Sequence, residues 1–240
     1  MPANYQAGRR GGVVNVSTLR DKLSLIRSDL DEAFRLAISR MPQTAVGWSS
    51  WKFIQPSDKV VLEGSFLRLV SAWDGFIENT FCYYLAGGGQ SLSNPPVLCN
   101  PKHPTVGASA QYALKTYRSN PNAKYLTWSR IHTVAKWSAK EFSLGDPYDK
   151  LKNFLSSNSS HNLIVKAARS TRNMIAHETD SARAAFVADV SQVIVPRIVG
   201  TSRPYMVLLE QAVDPVSGKS VHLFEAVSSV YGCLAGIVVP

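Results

Sequence analysis

From Val60 to Tyr84 the apolar residues Val60, Val61, Phe66, Leu67, Val70, Trp73, Ile77, Phe81 and Tyr84 recur at helical spacing, and Gly87-Gly88-Gly89 follows. That period commits the segment to a helix from about Ser57 to Ala86, stopped by the glycines. A rod of that length, about 45 Å, cannot bury its apolar stripe alone and must recruit other helices.

The rest of the chain supplies them. Leu19, Leu23, Ile26, Leu30, Ala33, Phe34 and Ala37 predict a helix over Thr18–Arg40, with Thr18 and Asp21 as its capping box. Shorter helices are predicted over Ser109–Tyr117, Thr127–Phe142, Pro147–Leu155, His161–His177 and Asp180–Val195, the last capped by Asp180 and ended by Pro196. The segments 41–56, with Trp48 and Trp51, and 90–107, with four prolines, read as a linker and a long loop. After residue 200, "YMVLLEQAV", the turn-like "DPVSGKS" and a final apolar run predict a strand or hairpin followed by a helix. The expected fold class is all-α: a helical bundle over 17–200, a flexible arm over 1–16 with Gly8, Gly11 and Gly12, and a small C-terminal strand/helix appendage over 201–240 of the same domain.

Net charge is +9, which points to an anionic partner. The surplus is local, with nine Lys/Arg against three Asp/Glu in residues 101–160. Tyr112, Tyr117, Tyr125, Trp128 and Trp137 lie within it. Solvated helix faces with core aromatics are the commoner reading of such a pattern; the alternative is a single-stranded nucleic acid groove, with cations on phosphates and rings on bases. Cys82, Cys99 and Cys233 make no disulfide framework, and no leader or membrane-length apolar run is seen, so the expected location is the cytoplasm. Cys99 and His103 lack a second pair at ligand spacing, and neither metal nor cofactor is expected.

The chemistry is expected on the helix ending "RSTRNMIAHETD". Projected at 100° per residue, Leu163, Ile164, Ala167, Ala168, Thr171, Met174 and Ile175 form its apolar arc. Asn162, Lys166, Arg169, Asn173 and His177 form a polar face of amides, cations and one imidazole. Arg172 lies about 140° from His177, so the two converge only if the arginine curls back, the helix end breaks or two chains meet.

"RNMIAH" resembles the signature of the HEPN superfamily, small all-helical domains bearing Arg, a polar residue, three further residues and His. "LRLVSAWDGFIENTFCYYLAG" is similar to the long early helix of its RiboL-PSP-like branch. The resemblance implies a HEPN-like bundle and metal-independent endoribonuclease activity, in a toxin or an anti-phage defence effector. It also implies a homodimer with a composite active site, acting on RNA, with an antitoxin or defence-system protein as a further partner. Polyadenylylated members of the superfamily have a tyrosine two residues after the histidine; here Thr179 stands there, so that regulation is not expected.

The residue chemistry agrees with cleavage through the ribose 2′-hydroxyl to a 2′,3′-cyclic phosphate. His177 can act as base or acid, Arg172 can fork onto phosphate oxygens, and Asn173 can orient His177 or bond the ribose. Two protomers supply both a base and an acid. Arg169 and Lys166 are candidate RNA contacts. Asp74 and Glu78, one turn apart on the long helix, are candidate site acids, or else salt-bridge partners of Arg169 or Arg172. His132, His161 and His222 read as ordinary histidines. Two other readings use the same residues: a non-catalytic HEPN module binding RNA, nucleotide or a protein partner, and a structural bundle whose polar stripe is coincidental.

Overall fold

The computed structural model describes residues 16–39, 55–88, 95–100, 102–118, 126, 128, 130–194 and 203–239. The arm 1–15, Trp48, Trp51 and Tyr125 lie outside them. Among the described residues the chain is all-α apart from two small antiparallel sheets. The helices are α1 (Val16–Ser39), α2 (Pro56–Leu85), α3 (Val106–Tyr117), α4 (Ile131–Glu141) and α5 (Pro147–Ser157), then α6 (Ser159–His177), α7 (Asp180–Val190), α8 (Pro204–Leu208) and α9 (Leu223–Val238). Strands β1 (Val97–Leu98) and β2 (Phe142–Leu144) pair, as do β3 (Gln211–Val213) and β4 (Ser220–His222).

The chain divides into two compact units: residues 74–154 with 1–18 and 235–240, and residues 19–73 with 155–234. Their boundary falls inside α2, between Trp73 and Asp74.

In the first unit the core is aromatic. Phe81 on α2 meets the rings of Trp128, Tyr148, Phe142 and Tyr117 at centroid distances of 5.4, 5.5, 6.1 and 6.3 Å. Tyr148 is fully buried and donates its hydroxyl to Thr80 Oγ1 at 2.8 Å. Pro147 opens α5, where its missing N–H costs nothing, and Asp146 Oδ1 accepts from the Tyr148 and Asp149 amides. Helix α2 ends in a Schellman arrangement: Gly87, at φ +78°, donates to Tyr84 O, and Gly88 donates to Tyr83 O.

In the second unit, Leu19, Leu23, Ile26 and Leu30 of α1 and Leu62, Phe66, Leu69, Val70 and Trp73 of α2 are buried. Trp73 stacks on Tyr231 of α9, centroids 4.9 Å apart. An exposed pair, Arg68–Asp29, and a pair of Arg27 with half-buried Glu225, both 2.9 Å, lie in this unit. After residue 200 the expected hairpin and final helix are present: β3 and β4 pair Gln211 with His222, and Glu225 Oε2 accepts from His222 N as α9 begins. The first part of the expected strand "YMVLLEQAV" is instead helical, within α8.

Several expected details differ. Val60 and Val61 are 70 % and 49 % exposed, because Leu62, Phe66, Leu69 and Val70 set the buried phase of α2 one residue later. Helix α7 ends at Val190 rather than Val195, since Ile194 leaves the helix to form an antiparallel bridge with Ala212. Its N-cap is Thr179, not Asp180. The 90–107 stretch, read as loop, contributes β1, whose two residues are too few to show alternation in sequence.

Candidate functional site

Helix α6 carries the candidate residues Lys166, Arg169, Arg172, Asn173 and His177, and it packs along α7 in the second unit. Its buried face comprises Ile164, Val165, Ala167, Ala168, Ser170, Thr171 and Met174. Five of the seven expected core positions are among them; Leu163 and Ile175 are half-buried. Val165 and Ser170 widen the buried arc, so the polar face is narrower than the sequence alone implies.

Outside that face Asn162, Lys166, Arg169, Asn173 and His177 form one row, spaced three or four residues apart over about 22 Å of helix, with exposed Ala176 beside it. Lys166 and His177 are exposed, and Asn162, Arg169 and Asn173 half-buried. The His177 ring makes no hydrogen bond or ion pair among the described residues, which leaves both nitrogens free for a ligand. Arg172 is half-buried beside the apolar arc, and its Nη1 donates to Asn173 Oδ1 at 3.2 Å. The long side chain does curl back toward the polar row, with Asn173 as its contact. Asn173 therefore offers its amide oxygen to Arg172, and the residue shares a helix face with His177, one turn on.

Helix α6 stays regular through His177. Glu178 then turns left-handed, at φ 47°, and donates to Met174 O at 3.1 Å. Thr179 is extended, and its hydroxyl accepts from Ala182 N at 3.2 Å to start α7. No broken helix end brings Arg172 and His177 to one azimuth; they remain about 140° apart round the axis. Of the three routes to convergence, the broken end is absent, and the arginine reaches Asn173 of the polar row.

Asp74 and Glu78 are both half-buried on α2, in the first unit, whereas α6 belongs to the second. An acid not singled out in sequence lies within the second unit. Glu63 of α2 is half-buried; burial raises its carboxyl above the ordinary 4.5, a bond from the Tyr205 backbone lowers it, and the charge of Glu178, next to His177, raises it again. Its spacing from Phe66 and Val70, three and seven residues on, marks it as a flank of the buried stripe, and that was the available signal. The folded carboxyl titrates above the unfolded one, so the ionised form destabilises the fold; this penalty is absent below pH 4.5 and present at neutrality. Glu63→Gln should therefore raise the melting temperature at pH 7, and thermal melts should show the gain vanishing as pH falls below 4.5.

Among the described residues of 101–160 the rings follow the core-aromatic reading rather than a base-stacking groove. Trp128 is buried, Tyr117 stacks on Trp137 at 5.2 Å, and His103 lies 4.5 Å from Tyr112. Both Tyr112 and Tyr117 donate their hydroxyls to Glu141 Oε1. These rings satisfy one another and the buried carboxylate, so they are not free to stack on bases. An open cleft of about 430 Å³ in the second unit, lined by Arg20, Ser24, Arg27, Asp31, Ser228 and Gly232, contains none of the expected site residues. Among the described residues no group of three His, Cys, Asp or Glu is placed to hold a metal, and no helix is long and apolar enough to cross a membrane.

No family model matches the chain, and neither a characterised protein nor a solved structure matches it.

Proposed function

We propose that this protein is a metal-independent endoribonuclease of HEPN type, in which the polar row of α6 binds RNA and Arg172, Asn173 and His177 act on one ribose–phosphate unit. The observation that carries this reading is the exposed His177 ring, without a hydrogen-bond or ion-pair partner among the described residues, on the same face as Asn173, onto which Arg172 is hydrogen-bonded. Arg172 neutralises the phosphoryl oxygens, and His177 takes the 2′-hydroxyl proton. The 2′-oxygen bonds to phosphorus, the bond to the 5′-oxygen breaks, and a proton goes to that leaving oxygen, giving a 2′,3′-cyclic phosphate and a 5′-hydroxyl. A single imidazole cannot hold and lack the proton at once, so the second catalyst is His177 of another copy, in a homodimer with a composite site. Lys166 and Arg169, further up the row, contact flanking phosphates. Under this reading the chain acts in the cytoplasm as a toxin or anti-phage effector, with an antitoxin or defence-system protein as partner.

Labelled RNA incubated with the protein in EDTA should be cut, and the new 3′ ends should carry cyclic phosphate. Cleavage abolished by EDTA, or ends bearing 3′-hydroxyl, contradicts the reading. RNA binding with no cleavage at all favours the second reading, a non-catalytic module that uses the same row as binding groups.

A further inference from the structure

The first unit concentrates positive charge in its middle segment. No Asp or Glu occurs between Glu78 and Glu141. Lys115, Arg118, Arg130, Lys136 and Lys140 are all exposed, and none has an acidic partner among the described residues. Glu141, the acid at the end of α4, is 3 % exposed and turned inward onto the hydroxyls of Tyr112 and Tyr117, so it leaves the surface cations uncompensated.

The geometry of α4 orders this charge. Its buried side is Ile131, Val134, Ala135 and Ser138. Its exposed side presents His132, Lys136 and Lys140, each one turn on and about 6 Å further along the axis. Only Ala139 among the exposed residues of α4 is apolar. The stacking of Tyr117 on Trp137 brings the last turn of α3, with Lys115 and Arg118, alongside α4.

We propose that this α3–α4 face docks the phosphate backbone of RNA through charge alone, as a surface additional to the α6 row. The choice of RNA rests on the ribonuclease reading; the choice of a phosphate backbone rests on the row itself. Lys136 and Lys140, one turn apart, with Lys115 and Arg118 on the adjoining end of α3, suit successive phosphates of one strand. A membrane surface requires bulky apolar side chains beside the cations, and α4 exposes none. The aromatic rings of this region are engaged internally, so the contact carries no base preference and its affinity falls steeply with salt.

The test compares two full-length chains, His177→Ala alone and His177→Ala with Lys115, Arg118, Lys136 and Lys140 all changed to alanine, so that cleavage does not interfere. Binding of a labelled RNA of about 20 nucleotides is followed by anisotropy across about 50 to 300 mM KCl. All four sites are exposed, and circular dichroism should show unchanged helix content. Removing four phosphate contacts should flatten the plot of log affinity against log salt by about 3, at about 0.7 per contact, and weaken binding at least tenfold or so at the low-salt end. An unchanged slope and affinity overturn the proposal. So does tighter binding of the parent chain to phosphatidylserine vesicles or to polyglutamate than to RNA. A wild-type chain that cuts RNA while binding ignores the four cations removes this surface and leaves the nuclease reading intact; a chain that never cuts but whose RNA binding depends on them does the reverse.

Discussion

His177→Ala is expected to slow RNA cleavage by about 10²- to 10⁴-fold, the range for losing a positioned acid–base group, while RNA affinity stays nearly unchanged. The separation of the two readouts follows from where the residue sits. His177 is the last residue of α6, is exposed, and forms no hydrogen bond among the described residues, so its loss should leave the fold within about 0.5 kcal/mol of wild type. Lys166 and Arg169, which hold the strand in this reading, remain. Gel-resolved initial rates and anisotropy on the same RNA measure the two quantities. Wild-type cleavage by His177→Ala removes the imidazole from the mechanism; a parallel collapse of binding and helix content makes His177 structural.

The largest effect on stability is expected at Tyr148→Ala. The side chain is fully buried in the first unit, packs 5.5 Å from the Phe81 ring, and donates to Thr80. Removing it leaves a cavity beside an aromatic cluster and should cost about 3–5 kcal/mol. Tyr148→Phe separates packing from polarity. Thr80 Oγ1 still donates to Phe76 O at 2.9 Å and Ile77 O at 3.0 Å, so losing the tyrosine hydroxyl strands no donor and should cost about 1 kcal/mol. Denaturant midpoints of the two variants give the comparison; a Tyr148→Ala chain as stable as wild type contradicts the aromatic core described for this unit.

The long elements were legible because their period persists over many turns. Phe66, Val70, Trp73, Ile77, Phe81 and Tyr84 set the phase of α2, and the glycines after Leu85 fix its end. The polar row of α6 was legible for the same reason, down to the separation of Arg172 and His177. What could not be read depends on contacts far apart in sequence. Nothing local tells that Tyr117 lies against Trp137, so rings that satisfy one another and Glu141 resemble a base-stacking platform when only composition is in view. Val60 and Val61 are apolar enough to join the stripe, yet only the buried phase of later residues decides that they face outward. Glu63 went unremarked because its burial and its neighbour Glu178 come from the packing of distant segments, whereas Asp74 and Glu78 drew notice through their spacing. The division of α2 between two units at Trp73 leaves no mark in its periodicity.

In the proposed mechanism one imidazole serves as base and a second, from another copy of the chain, as acid. Subunit mixing measures this directly: wild-type protein is equilibrated with about a ninefold excess of His177→Ala, and the cleavage rate per wild-type subunit is followed at saturating RNA. A composite site predicts a fall of about tenfold, because nearly every wild-type subunit is then paired with one that lacks the second imidazole. A rate per wild-type subunit that does not change contradicts it.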